Sequence, residues 1–131
     1  MNSLYLIPTT LGDTPPQQVL PASTLEAIAG LRIFVVEELR SARRFLSAAG
    51  LRGQIDSLEF HVLNEHSTAG DADALAELFG RGSVGYLSEA GLPAVADPGA
   101  ALVAVCHRIG VPVVPLIGPS SLMLALMASG L

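Results

Sequence analysis

The sequence predicts an α/β fold, in which a mostly parallel five-stranded sheet carries helices on both faces. Five short apolar runs recur along the chain, and the segments between them have helical periodicity. Four of the runs are continuously apolar, as expected for strands of a parallel sheet that is covered on both faces. The predicted strands are Leu4–Ile7, Ile33–Val36, residues 58–63, Val84–Leu87 and residues 113–116.

The first two crossovers each contain a predicted helix. Proline is tolerated in a first helical turn, so Pro21 can begin a helix over residues 21–29 with Leu25 and Ile28 facing inward. The next helix places Arg40 and Arg44 on the side opposite an apolar stripe. That stripe consists of Leu39, Ala42, Leu46 and Ala49.

The third run differs from the others because polar side chains alternate within it. Glu59 and His61 occupy every second position, which favours a strand at the edge of the sheet. A helix through Phe79 follows, and Asp71 and Asp73 lie in its first turn, where carboxylates interact favourably with the helix dipole.

The last third of the chain predicts two further helices. Residues 100–109 have an apolar stripe formed by Leu102, Val105, Cys106 and Ile109. Residues 119–129 are apolar nearly all round, so we expect a second domain or a second copy of the chain to cover this helix. Five glycines follow the helical patterns, where a left-handed residue often ends a helix. They are Gly30, Gly50, Gly80, Gly110 and Gly130.

Composition narrows the function classes. A chain of 131 residues predicts one domain, and no apolar run reaches the ~20 residues of a membrane span. Met1 is not followed by the basic start of a signal peptide, so we expect a cytoplasmic protein. The net charge of −5 disfavours non-specific binding to phosphate backbones. The single cysteine, Cys106, excludes an internal disulfide, and the scattered histidines predict no metal site.

The segment between the fourth strand and the next helix predicts the floor of a ligand site. In open α/β sheets, ligands bind outside the carboxyl ends of the strands. Residues 88–99 place Ser88, Glu89 and Asp97 there, and Gly91 and Gly99 permit close backbone approach. Alternatively, Asp97 caps the following helix with Pro98 at its first position, which explains Asp97 without a ligand.

The other strand-end loops predict the walls of the site. The loop that begins at Pro8 lacks a G-x-G-x-x-G fingerprint, and the chain has no phosphate-binding P-loop. Glu37 can point into the cleft, although a capped helix with a solvated arginine face also explains this segment. Glu65 and His66 suit acid–base chemistry, but a polar turn is the favoured reading. Residues 119–121 either present free amides to a polar ligand or simply begin a helix.

These loops together resemble the tetrapyrrole methylase superfamily of S-adenosylmethionine-dependent methyltransferases, and most closely its small-subunit ribosomal RNA ribose methyltransferase I branch. The resemblance covers nearly the whole chain. The matching pieces are LYLIPT at 4–9, VVEE at 35–38 with Arg40, NEH at 64–66, SEAGLP at 88–93, DPG at 97–99, VVPLIGPSS at 113–121 and ASGL at 128–131.

The resemblance implies two α/β domains with S-adenosylmethionine between them, and commonly a homodimer. Residues 1–131 would be the N-terminal domain, without the second domain. The donor would lie against residues of three loops: Pro8, Ser88, Glu89, Ala90, Gly91, Pro93, Asp97, Pro119, Ser120 and Ser121.

The acceptor is expected to be a ribosomal RNA ribose, and the base that removes its proton is open. Glu37, Glu89 and His66 are the candidates. Leu92 stands where the tetrapyrrole branch has an acidic residue, and Glu89 where the RNA branch usually has Asp. The alternatives are a precorrin-type C-methyltransferase and a non-catalytic donor-binding or dimerisation module.

Overall fold

The computed structural model describes residues 1–10, 14–87, 97–119 and 121–130. Its strands are β1 (Leu4–Ile7), β2 (Ile33–Val36), β3 (Glu59–Val62), β4 (Val84–Leu87) and β5 (Val113–Pro115). Its α-helices are α1 (Pro16–Val19), α2 (Ala22–Ala29), α3 (Leu39–Leu46), α4 (Ala69–Ala74), α5 (Asp97–Ile109) and α6 (Ser121–Ala128). A π-type turn at Ser47–Leu51 and 3₁₀ helices at Arg52–Ser57 and Leu75–Gly80 complete the elements.

The five strands form one parallel sheet in the order β3-β2-β4-β1-β5. The predicted fold class is therefore confirmed, as is the edge position of β3. Three strands have the predicted bounds, and β3 and β5 are shorter than predicted. Because β4 lies between β1 and β2, the centre of the sheet joins parts of the chain that are far apart in sequence.

Successive side chains of a strand point to opposite faces, and each face has its own core. Leu4, Leu6 and Val35 pack on one face with buried residues of α4, α5 and α6. Ile7 and Phe34 pack on the other with residues of α2 and α3. The crossovers before β3 thus cover one face and those after β3 cover the other, which explains why the strands are continuously apolar.

Several local predictions are wrong because packing overrides local pattern. Leu39 and Ile109 belong to predicted apolar stripes, yet they are 39% and 46% exposed at helix ends. Gly50, Gly110 and Gly130 have positive φ as predicted, whereas Gly30 has φ −83°. Gly80 ends a 3₁₀ helix without a left-handed residue.

Helix starts also differ from the prediction. Pro21 precedes α2 as its capping residue instead of beginning it. Asp71 and Thr68 form a reciprocal capping box, in which each side chain accepts the other's backbone N–H, and α4 therefore starts at Ala69. The predicted helix through Phe79 becomes α4 followed by a 3₁₀ helix, and Asp71 lies in the first turn of α4 as predicted whereas Asp73 lies beyond it.

Helix α6 exposes apolar side chains, as its composition predicts. Leu124 is buried against the sheet, while Leu122 is 74% and Leu126 48% exposed. His107 Nε2 donates a 2.9 Å hydrogen bond to the carbonyl of Ala128 and so ties α5 to the end of α6. No helix in the described ranges has the length and apolar content that crossing a bilayer requires.

Candidate functional site

The carboxyl ends of all five strands lie along the same edge of the sheet. The register pairs Leu87 at the end of β4 with Ile7 on one side and Val36 on the other. The connection that follows β1 crosses the sheet toward β2, whereas the connection that follows β4 crosses it in the opposite direction toward β5. The neighbouring strands β1 and β4 therefore flank the point where the strand order reverses. Ligands of open α/β sheets bind at such a switch point.

The loops after β1 and β5 meet at this edge. A Cβ atom added at Gly118 would lie 2.7 Å from Pro8 Cβ and 2.9 Å from Leu20 Cδ2, so only glycine fits there without rearrangement. Pro8 is itself buried. The structure therefore brings together two of the predicted walls of the site.

A buried hydroxyl of α2 holds the β5 loop in place. Thr24 is 2% exposed, and its Oγ1 donates a 2.7 Å hydrogen bond to the carbonyl of Ile117. Sequence reasoning missed Thr24. The sequence feature that could have revealed Thr24 is a polar residue one position before Leu25, on the inward side of the predicted helix.

The start of α6 differs from the prediction. Pro119 is exposed in the turn that precedes the helix, and α6 begins at Ser121, whose N–H donates a 3.0 Å bond to the Gly118 carbonyl. Ser120 lies outside the described residues. The prediction that Pro119 begins the helix is therefore wrong, because this turn intervenes.

The two acidic residues after β2 have different roles. Glu38 caps α3, with its carboxylate accepting from the N–H groups of Arg40 and Ser41, so the capped-helix interpretation is confirmed for Glu38. Glu37 is half-buried, and its Oε2 accepts a hydrogen bond from the hydroxyl of Tyr86. Sequence reasoning missed Tyr86. The feature that could have revealed this residue is a hydroxyl group in a predicted buried strand directly before the central loop.

Most of the central loop lies outside the described residues. Ser88, Glu89, Ala90, Gly91 and Pro93 are therefore not located, and their assignment to a donor site stays a prediction. Helix α5 already includes Asp97, so this residue lies one position further into the helix than the capping interpretation predicted.

The third-strand loop forms a self-contained polar turn. Asn64 Oδ1 accepts a 2.9 Å bond from the His66 N–H, and Ser67 Oγ accepts a 3.0 Å bond from the Asn64 N–H. The Glu65 and His66 side chains are 84% and 85% exposed. They follow edge strand β3, which β2 separates from the centre of the sheet.

A charged cluster lies at the opposite edge of the sheet, where β3 begins. Arg81 donates two 2.7 Å hydrogen bonds to the Glu59 carboxylate, and His61 Nε2 lies 2.6 Å from Glu59 Oε2. Arg81 and then His61 lower the pKa of Glu59 to about 2. This cluster connects β3 to the segment before β4, away from the strand-end loops.

The remaining reactive side chains do not form a centre. Cys106 belongs to the predicted apolar stripe and is fully buried on the inner face of α5, and loss of hydration raises the pKa of its thiol to about 12, as expected for an unreactive core residue. Within residues 1–10, 14–87, 97–119 and 121–130, no group of three or more His, Cys, Asp or Glu side chains could hold a metal ion.

The fold is that of an open α/β domain with parallel strands, a class of protein that binds ligands at switch points such as the one between β1 and β4. Comparison with known proteins identifies the relatives of this domain, although no protein-family model matches it. Proteins named ribosomal RNA small subunit methyltransferase I match 98% of the chain in Vibrio cholerae and Mesorhizobium japonicum, at 33% and 36% identity. The Escherichia coli O157:H7 protein of that name matches 99% at 32% identity.

The chain is therefore a homologue of the ribosomal RNA small subunit methyltransferase I proteins, and the resemblance to that branch is confirmed. It spans 42% of the length of the Vibrio and Mesorhizobium proteins and 43% of the Escherichia protein.

Proposed function

We propose that the chain is the N-terminal domain of an S-adenosylmethionine-dependent methyltransferase that modifies a ribose of ribosomal RNA. The main support for this proposal is that proteins named ribosomal RNA small subunit methyltransferase I match 98% of the chain. The position of the polar loops at the switch point supports it, because a cleft there suits a nucleoside-containing donor.

The donor would lie across the loops that follow β1, β4 and β5. Pro8 and Pro119 belong to the first and last of these loops, and the contact between Pro8 and Gly118 fixes their spacing. The Ser121 hydroxyl and the first turn of α6 suit the carboxylate of the methionine moiety, since helix N-termini favour anions. The remaining residues that would contact the donor are Ser88, Glu89, Ala90, Gly91, Pro93 and Asp97, between β4 and α5, and Ser120.

Methyl transfer from a sulfonium is an in-line displacement, so catalysis depends largely on how the two reactants are positioned. A base can also remove the proton of a ribose hydroxyl. Glu37 is the best supported of the candidates because it lies half-buried at the strand-end edge with its carboxylate held by Tyr86. His66 is solvent-exposed beside the outermost strand, and Glu89 lies outside the described residues.

An arginine face on α3 supports an RNA acceptor. Arg40, Arg43 and Arg44 are spaced three and four residues apart on one exposed side of the helix, which begins just after Glu37. Arg43 is 3.0 Å from Asp56, whereas the side chains of Arg40 and Arg44 form no hydrogen bond within the part of the chain that the structure describes. A chain of net charge −5 thus has a local basic surface beside the proposed site.

In the whole protein, we expect further structure beside this domain. A second α/β domain or a second copy of the chain would cover the exposed side of α6, and the donor would lie between two domains. The protein would act in the cytoplasm, where ribosomal RNA is found.

Calorimetric titration of S-adenosylhomocysteine into this chain tests the donor site. A second titration uses a chain extended to the length of its relatives. Binding to both would assign the donor mainly to the loops named above, and binding to the longer chain alone would assign it to an interdomain cleft. Binding to neither would contradict the methyltransferase proposal and favour a non-catalytic module.

Replacement of Glu37 by Gln tests the proposed base. In the full-length protein we expect Glu37→Gln to reduce turnover on small ribosomal subunits by at least about 100-fold, the usual range for a general base. Affinity for S-adenosylhomocysteine should be unchanged, because the carboxylate acts on the acceptor. The matched control is His66→Gln, which should retain activity; loss of turnover in this control alone would transfer the role to His66.

A further inference from the structure

We propose that Tyr86 is a positioning residue, which fixes the carboxylate of Glu37 at the mouth of the site. This inference rests on the proposed function for its catalytic consequence, but not for the contact itself. The Tyr86 hydroxyl donates a hydrogen bond to Glu37 Oε2. The two residues are 49 positions apart in sequence and meet because β2 and β4 are neighbouring strands.

The sheet register explains how the two side chains meet. Tyr86 pairs with Val35 of β2 on one side and with Leu6 of β1 on the other. Glu37 is two residues beyond Val35, so strand alternation places its side chain on the same face as Tyr86. Tyr86 is 1% exposed, which means that its hydroxyl reaches Glu37 from inside the core.

Two helices then hold the Tyr86 ring. A Cβ atom added at Gly99 would lie 3.0 Å from Tyr86 Cε2, 3.1 Å from its hydroxyl oxygen and 2.9 Å from Met127 Sδ. The backbone of α5 therefore approaches the ring as closely as a residue without a side chain allows, and Met127 of α6 closes the same space. The ring has little freedom to move, so the hydrogen bond has a fixed direction.

A donor with a fixed direction restricts the rotamers of the carboxylate that accepts from it. A catalytic group that is already held in its productive geometry does not lose that freedom during the reaction. Tyr86 thus connects three parts of the fold, namely the end of β2, the first turn of α5 and the inner side of α6, at the group proposed as the base.

The variant Tyr86→Phe removes the hydroxyl and keeps the ring. The chain contains two tyrosines, so Tyr5→Phe is a matched control on neighbouring strand β1. With 13C-labelled glutamate, the carboxyl signal of Glu37 should shift and its side-chain order decrease in Tyr86→Phe but not in Tyr5→Phe. An unchanged Glu37 signal in Tyr86→Phe would overturn the proposal, whether or not the protein is an enzyme.

Turnover by the full-length protein supplies the second readout. Tyr86→Phe should lower kcat about tenfold, the loss that corresponds to a hydrogen bond to a charged group, and leave KM unchanged. In a Glu37→Gln background the same substitution should have no further effect, since Tyr86 acts through that carboxylate. Equal losses in both backgrounds would show a merely structural role and overturn the proposal. If wild-type protein methylates no RNA, the proposed function fails, and the carboxyl signal alone decides the positioning role.

Discussion

At the scale of single residues, the structure separates titratable groups that stabilise the fold from those available for chemistry. Glu59 belongs to the first kind, because Arg81 and His61 bind its carboxylate at the edge of the sheet far from the strand-end loops. Glu37 belongs to the second kind, since it accepts from a buried tyrosine at the edge where the loops converge. The same residue type thus occurs in two environments, one at the start of β3 and one just beyond the end of β2.

The lowered pKa of Glu59 predicts a pH-dependent contribution to stability. The carboxylate has a pKa of about 2 in the folded chain against an ordinary glutamate value of 4.5, so its contribution to stability is fully present above about pH 4.5 and is lost as the pH falls toward 2. Urea unfolding should show that Glu59→Gln lowers the free energy of unfolding near pH 7, and that its difference from wild type shrinks below pH 4.5.

The matched control for this prediction is Asp56→Asn. Asp56 also pairs with an arginine, but its side chain is 99% exposed, and such pairs contribute little. We therefore expect the control to follow wild type across the same pH range. A Glu59→Gln difference that stays constant from pH 7 to pH 3 would contradict the assigned cause.

At the scale of elements, close approach between neighbours defines the strand-end edge. Helix α5 contacts Tyr86 and α6 through Gly99, and the β5 loop contacts the β1 loop through Gly118. Neither Gly99 nor Gly118 has a positive φ, so backbone conformation does not explain why glycine occupies these positions. Lack of space for a side chain is what these two positions have in common, and both lie beside the proposed donor site.

Gly99→Ala should destabilise the chain by about 1–3 kcal/mol, because the added methyl group overpacks a filled space between Tyr86 and Met127. The matched control is Gly53→Ala, where nothing lies within 4 Å of the added atom. This control should be neutral or slightly stabilising. Chemical denaturation measures both, and equal stabilities of the two variants would refute the packing argument.

At the scale of the whole molecule, the two faces of the sheet are covered, whereas α6 leaves apolar side chains in solvent. Leu122 and Leu126 are the clearest examples, and Ile117 in the preceding loop is 63% exposed. Apolar surfaces of this kind mark interaction sites in soluble proteins. The relatives are more than twice as long as this chain, so a further domain or a second copy is the proposed cover.

If α6 is an interaction surface, this chain should self-associate through it when studied alone. We expect sedimentation to show concentration-dependent association that Leu122→Gln combined with Leu126→Gln abolishes. Because both side chains are exposed, these substitutions should change stability by no more than about 0.5 kcal/mol each. Val62→Thr, at an exposed position on edge strand β3, is the control. A chain that is monomeric at all concentrations would contradict this prediction.

The sequence by itself determined the fold class, three strands with their bounds, and the edge of the sheet that carries the loops. These properties depend on local information, because a continuous apolar run such as Ile33–Val36 specifies a strand covered on both faces wherever it lies in the sheet. The motifs in the loops, from Pro8 to Ser121, were also sufficient to indicate the resemblance to the ribosomal RNA small subunit methyltransferase I proteins, and the comparisons confirm that resemblance.

Only the tertiary structure decided the strand order, the hydrogen bond between Tyr86 and Glu37, and the exposure of Leu39 and Ile109. Each of these depends on which distant segments become neighbours. A tyrosine in β4 reaches a glutamate after β2 because β4 inserts between β1 and β2, and a stripe residue at a helix end is exposed when no neighbouring element extends far enough to cover it. Sequence periodicity describes one element at a time, whereas these features arise from the packing of several elements together.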